Sequence, residues 1–209
     1  MSPSKPAQTD RESLQRFTWL LNQRAYRFWP EDKLDEVISV RRKKPDFYVR
    51  TASGDLLVEV ESFVERLSRP AQAMAVNPER EWRRIQGAVR HGAQQLGDYK
   101  DLNLPMMVVV DNWRRVGVPT DVGTLWGALF TAQGQSQPLL NSKNKRYVSA
   151  VAWNLPKART LDDTMTNERP MYLVVLHNPY ADISFCRSFF DSINDKHFRI
   201  NRRGRPILF

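Results

Sequence analysis

At 209 residues, with 32 lysines and arginines against 23 aspartates and glutamates, the chain carries a formal net charge of +9 and a pI near 9.9. That length allows one domain with a substantial core, and 41% hydrophobic residues with six tryptophans exclude an intrinsically disordered chain. No apolar run approaches the roughly 20 residues of a membrane-spanning helix, Met1 to Asp10 holds no signal-peptide core, and the single cysteine, Cys186, excludes an internal disulfide framework.

The lone thiol fits a reducing compartment such as a bacterial cytoplasm. Three histidines and one cysteine, scattered without ligand spacing, argue against structural zinc. Met1 to Asp10 is expected to be a mobile tail. The rest, 11–209, reads as one unit with a core over about 11–112 and a C-terminal extension over about 113–209.

Taken in order, Glu12 to Trp29 reads as an amphipathic helix, with Leu14, Phe17, Leu20, Leu21 and Phe28 at core-facing spacing and Pro30 as the stop. Trp19 and Trp29 read as packing residues, and Glu12 as an ordinary acid in a first helical turn. Glu36 to Val40 is expected to form a first strand leading into Arg41-Arg42-Lys43-Lys44. Phe47 to Arg50 and Leu56 to Val60 then flank Thr51-Ala52-Ser53-Gly54, a hairpin pattern. With two or four residues in the loop, Arg50 faces Asp55, and the pairing runs on until Asp46 faces Glu59. Strand alternation puts Leu57, Glu59 and Glu61 on one face and Leu56, Val58 and Val60 on the other. Directly opposed carboxylates repel. A hard divalent cation between them turns that cost into a binding site.

Leu67 to Pro78 reads as a loop. From Glu79 to Lys100 the residues Trp82, Ile85, Val89, Ala93 and Leu96 form one apolar helical stripe. Leu104-Pro105 breaks that helix, and Met106 to Val110 reads as a buried strand ending at Asp111-Asn112. Val122 to Phe130 is expected as a short helix with Leu125, Trp126 and Leu129 inward, followed by a polar loop over Thr131 to Lys145. Tyr147 to Leu155 and Met171 to His177 read as strands separated by the charged stretch Pro156 to Pro170. After the turn Asn178-Pro179-Tyr180, Ser184 to Asn194 reads as a last helix burying Phe185, Phe189, Phe190 and Ile193.

Two motifs carry a resemblance. Pro45-Asp46 followed by Glu59-Val60-Glu61 resembles the PD-(D/E)xK signature of restriction-endonuclease-like nucleases. Gln95-Leu96-Gly97-Asp98-Tyr99 resembles the Q-h-x-x-Y motif of RecB-like nucleases, with Gln95 and Tyr99 on one helical face. The resemblance covers roughly residues 10 to 112. It implies an α/β fold with an αβββαβ core, a mixed central sheet flanked by helices, and a C-terminal α/β elaboration. It also implies Mg²⁺, with Mn²⁺ as a substitute, held by Asp46 and Glu59. Glu61 stands where the family carries a lysine, a departure that some enzymes of this fold share as Glu-x-Glu. On that pattern Glu61 orients the attacking water or recruits a second ion, and Gln95 and Tyr99 line the site.

The excess positive charge favours an anionic partner, and nucleic acid is the natural one. Arg41, Arg42, Lys43 and Lys44 precede Asp46 directly, and Arg83 and Arg84 stud the following helix with Arg80 and Arg90. Arg114-Arg115 and the C-terminal Arg199, Arg202, Arg203 and Arg205 are further candidates to hold a phosphate backbone approaching Asp46. His91, His177 and His197 read as structural. The expected activity is hydrolysis of phosphodiester bonds, in DNA rather than RNA, with no membrane involved and a homodimer or protein partner left open. Three alternatives stand beside it: a nuclease fold that has lost cleavage and kept DNA binding or assembly, an RNA-acting nuclease, and a basic α/β scaffold for another protein.

Overall fold

The computed structural model describes residues 8–39, 41, 43–62, 78–111, 122–132, 138–156 and 171–209. Expectations placed on Val40, Arg42, Asn112, Arg114, Arg115 and the stretches 63–77 and 157–170 lie outside these residues, as do 1–7 of the proposed tail and 133–137 of the polar loop; Gln8 to Asp10, expected in that tail, already belong to the first helix. In chain order the elements are α1 (Gln8–Gln23), β1 (Arg27–Pro30), β2 (Phe47–Thr51), β3 (Gly54–Ser62), α2 (Pro78–Leu96), β4 (Met106–Asp111), α3 (Val122–Phe130), β5 (Ala150–Pro156), β6 (Met171–His177), β7 (Lys196–Ile200) and β8 (Pro206–Leu208). All eight strands belong to one mixed sheet whose spatial order repeats their chain order, β1 through β8. The C-terminal half therefore extends the sheet of the N-terminal half.

The hairpin forms because Ala52-Ser53 close a two-residue turn and Gly54 follows with φ +129°. Arg50 pairs with Asp55 in the ladder, and the register continues through Phe47 opposite Val58. A bidentate contact fixes that register: Arg50 Nε and Nη2 lie 2.8 and 2.9 Å from the two Asp55 oxygens. β3 then pairs in parallel with β4, and β4 with β5, so α2 crosses over the sheet against the strand direction.

Each face of the sheet has its own core. Phe17, Leu20 and Leu21 of α1 pack on Phe47, Val49, Leu56, Val58 and Val60. On the opposite face Ile85, Val89, Ala93 and Leu96 of α2, with Leu125 and Leu129 of α3, cover Leu57, Val108, Val110 and Trp153. The α2 stripe is the one its periodicity predicts, and Trp82 packs at its margin, partly buried. Full burial of each large side chain in it is worth roughly 1.5–3 kcal/mol. Gly127 of α3 sits so close to Trp82 that an added Cβ would lie 3.0 Å from its ring. No helix of the described residues is long and apolar enough to cross a membrane.

Three expectations are corrected. The first helix stops at Gln23, Ala25 adopts φ +53°, and Arg27 to Pro30 become an edge strand paired with β2. Pro30 is tolerated there because an edge strand end needs no further donor. The strand expected over Glu36 to Val40 is displaced by this one; Glu31–Glu36 forms a 3-10 turn, and Val37 and Ile38 pack against the α2-side core. The last helix reduces to a 3-10 turn at Arg187–Phe189. Phe185, Phe189 and Phe190 are buried as expected, but Ile193 is 98% exposed. The chain leaves the turn extended because Lys196–Ile200 is taken up as strand β7 beside β6.

Candidate functional site

The acids converge at the end of the sheet where β3 finishes and β2 begins. Phe47 lies opposite Val58, so Asp46, one residue earlier, arrives beside Glu59. A reciprocal clamp holds the two segments: the Asp46 N–H donates to Glu59 Oε2 at 3.2 Å, and the Val60 N–H donates to Asp46 Oδ2 at 2.7 Å. Glu61 follows on the same face as Glu59, and its Oε1 lies 2.7 Å from His91 Nδ1 on α2. The strand parity expected for Leu57, Glu59 and Glu61 therefore holds.

Glycine brings the helix down onto these acids. A Cβ built on Gly92 would stand 2.9 Å from Val108 Cγ1 and 3.2 Å from both Glu59 Cγ and Glu61 Oε1. Glycine inside a helix costs roughly 1 kcal/mol relative to alanine. Here it lets α2 close over the carboxylates.

Burial dominates their electrostatics. Glu59 is 5% exposed, and burial first, then the charges of Asp46 and Glu61, push its carboxyl well above the usual range. Asp46 is raised to about 7, by burial first and then by the charges of Glu31, Glu61 and Asp10, against the downward pull of the Val60 N–H. Glu61 is also raised by burial, with His91 pulling the other way. Among the described residues, His91 is the cationic influence on these three carboxyls, and burial outweighs it in raising them.

A cleft of about 430 Å³ opens beside Asp46, lined by Thr18 and Trp19 of α1 and by Pro30, Glu31 and Asp32 across from them. Trp19 is half-buried along this cleft as well as packing on the α1-side core. Asp10 and Glu31, which carry no motif, belong to the acidic surroundings of Asp46.

Of the Q-h-x-x-Y pair, Tyr99 is fully buried in the α2-side core, and its hydroxyl accepts the Arg41 N–H at 2.9 Å. Gln95, half-buried one turn beyond His91, makes no hydrogen bond to the acids among the described residues. His91, read as structural, touches Glu61 instead. Its signal was available in the sequence, since it precedes Gln95 by four residues and shares its helical face.

The basic candidates divide. Arg41 is engaged structurally, with Nη2 at 2.6 Å from Asp101 and a short contact to the Asp98 carbonyl. Lys43 is exposed and Lys44 half-buried just before Asp46. Arg83 is exposed and 3.6 Å from Glu79, while Arg84 is half-buried. They lie about 12 and 10.5 Å along α2 from His91, toward the sheet end where Glu61 sits. The C-terminal arginines do not approach Asp46, because β8 is five strands from β3.

Among the described residues, no group of three or more His, Cys, Asp or Glu side chains is arranged to hold a metal ion as the side chains stand. The donor chemistry nevertheless suits Mg²⁺. That ion is usually bound through one or two carboxylates plus water and substrate phosphate, not by an all-protein cage. Asp46 and Glu59 supply two hard oxygen donors whose mutual repulsion a cation would relieve.

No family model matches the chain, and no curated protein matches it. A solved structure of Pyrococcus furiosus SfsA in complex with Ca²⁺ aligns with 92% of the chain at 11% identity and a TM-score of 0.23. The chain spans 57% of the length of that structure. A likeness at this level identifies neither fold family nor function.

Proposed function

We propose that the chain is a metal-dependent nuclease of restriction-endonuclease-like architecture that hydrolyses phosphodiester bonds in DNA through Asp46, Glu59 and Glu61. The observation that carries this reading is the clamp between half-buried Asp46 and buried Glu59, locked side by side with Glu61 on the same face. The element order α1-β1-β2-β3-α2-β4, with β3 and β4 parallel across α2, supports it as an αβββαβ core.

Asp46 and Glu59 would hold the ion, losing their protons as they do so. When bound, Mg²⁺ polarises the scissile phosphate and lowers the pKa of its water. Glu61, ionised, accepts hydrogen bonds only. It can therefore orient the attacking water but cannot give the transition state the positive charge of a lysine. His91 is the basic group that touches it. Lys43, exposed, and Lys44, half-buried, directly precede Asp46 and would meet the phosphate backbone there.

The test is direct. Plasmid, single-stranded DNA and RNA are incubated with the protein in Mg²⁺ or Mn²⁺, beside Asp46→Ala and Glu59→Ala. Cleavage of DNA that falls at least a hundredfold in both variants is expected; undiminished cleavage in both would remove the site from consideration. A second reading, a nuclease fold that binds nucleic acid without cutting, is favoured by Glu61 at the lysine position. It predicts binding with no cleavage of any substrate in either metal.

A further inference from the structure

The far edge of the sheet carries a second charged feature that the carboxylate site does not use. β7 and β8 pair antiparallel, with Phe198 opposite Leu208 and Ile200 opposite Pro206. Their connection, residues 201–205, reads Asn-Arg-Arg-Gly-Arg. Arg199, Arg202, Arg203 and Arg205 are all exposed. Among the described residues no carboxylate pairs with Arg202, Arg203 or Arg205. Arg199 lies over the Phe209 ring, 5.3 Å from its centroid.

The turn that presents them is built to one shape. Asn201 Oδ1 accepts the N–H groups of both Arg203 and Arg205, at 2.9 and 3.0 Å. The Asn201 N–H donates to the Arg205 carbonyl at 2.8 Å, and the Gly204 N–H to the Asn201 carbonyl at 2.9 Å. Gly204 takes φ +72°, which suits glycine. Trp126 of α3 donates its indole N–H to the Gly204 carbonyl at 2.7 Å and so fixes the tip to the body of the fold. The polar backbone at the tip is thus largely satisfied internally, while the guanidinium groups are left without acids. Like charges this close on a rigid turn repel one another, a cost that an external polyanion would relieve.

Register places the tip relative to the acids. Glu59, Val108, Val151, Leu176 and Phe198 form one level across the sheet. Because β7 runs opposite to β3, the chain beyond Phe198 moves away from Glu61. Five strand spacings add about 24 Å of lateral separation.

We propose that the β7–β8 hairpin is a preformed docking element for the phosphate backbone of nucleic acid, separate from the carboxylate site. Arginine suits this partner because its planar fork matches phosphate oxygens two at a time. A rigid tip also loses little conformational freedom on binding. This docking does not depend on cleavage, since the hairpin and the acids share no residue.

The experiment uses the full chain with R202A/R203A/R205A, which leaves Asn201, Gly204 and Trp126 in place. A fluorescent 30-base-pair duplex is titrated in EDTA across a salt series, beside the triple lysine variant and Asp46→Asn. The alanine variant is expected to bind at least tenfold more weakly. Its plot of log K against log salt should be shallower by about 2–3, since each phosphate the arginines neutralise adds roughly 0.9 to the slope. The lysine variant should keep the wild-type slope, and unchanged thermal unfolding of all variants confirms the fold. An unchanged affinity and slope in the alanine variant would overturn the proposal. So would loss of binding to phosphatidylserine vesicles with DNA binding intact, which would mark a membrane-facing element instead. If plasmid, single-stranded DNA and RNA all stay uncut in Mg²⁺ and in Mn²⁺ while R202A/R203A/R205A still reduces the slope in EDTA, the nuclease reading is removed and the docking element stands.

Discussion

Asp111 and Glu59 lie on adjacent parallel strands, and both are almost wholly buried at 1% and 5% exposure. Their surroundings differ completely. Asp111, on the α1 side of β4, accepts hydrogen bonds from Ser13 Oγ at 2.9 Å, Arg16 Nε at 3.0 Å and Asn154 Nδ2 at 2.9 Å. Burial still pushes its carboxyl up, but Arg16, Ser13 and Asn154 all pull it back. Glu59, on the α2 side of β3, receives one backbone N–H, and the charges acting on it among the described residues are those of Asp46, Glu61 and Glu31. A carboxylate that the protein neutralises itself is part of the structure. One buried with no cation against it among the described residues is the group that the nuclease proposal takes as a metal ligand.

Removing the partner of Asp111 should sharpen this contrast most. Arg16→Met leaves a buried carboxylate without its cation and is expected to cost about 3–5 kcal/mol. Denaturant unfolding measures it, and a loss below about 1 kcal/mol would mean that Asp111 is as uncompensated as Glu59.

The next effect is the pH response of the acid pair. Asp46 sits at about 7 in the folded protein against an ordinary 3.8, so the folded state retains a proton that the unfolded chain releases in between. Its contribution to stability is complete below pH 4 and is lost as pH rises through 7. The metal-free protein should therefore lose on the order of 2–4 kcal/mol across that window. Asp46→Asn should flatten the curve, and Mg²⁺ or Mn²⁺ at pH 8 should restore stability by taking the proton's place. Thermal melts from pH 4 to 8, with and without metal, check both. A flat wild-type profile would place the acid pair in the same class as Asp111.

The smallest change tests the helix above the acids. Gly92→Ala gains helix propensity but must push against Val108, Glu59 and Glu61, so a net loss of about 1–3 kcal/mol is expected. Thermal or denaturant unfolding reads it. A stabilised variant would show that α2 can lift away, leaving Glu59 less enclosed than it stands.

Much of this corner was legible from the sequence because its determinants are local. A two-residue turn and strand parity are enough to put Arg50 on Asp55 and Asp46 beside Glu59. Apolar spacing alone sets the buried stripe of α2. The errors arise where tertiary contacts override a local signal. Phe28 follows Leu21 at helical spacing, yet Ala25 turns the chain with φ +53°, and no glycine, proline or asparagine marks that position. Ser184 to Asn194 has the apolar spacing of a helix, yet the following Lys196 to Ile200, with His197 buried, is drawn into the sheet beside β6. Tyr99 matches a motif by spacing, but the core it enters is assembled from distant segments. Neither His91 nor Asp10 carries a motif, and only the packing of α1 and α2 on the sheet brings them to the acids.

The sequential order of the strands also bears on how the molecule assembles. Each strand finds its partner in the strand made immediately before it, so no pairing waits on a segment that emerges much later. Domains form from the N-terminus as synthesis proceeds. By the time β4 has emerged, α1, the hairpin and α2 are all present, and every residue of the acid cluster can be in place. Asp111 has Ser13 and Arg16 by then but not Asn154, which comes 43 residues later. The acid corner can thus close early in synthesis. Its internally neutralised neighbour is completed only when β5 joins the sheet.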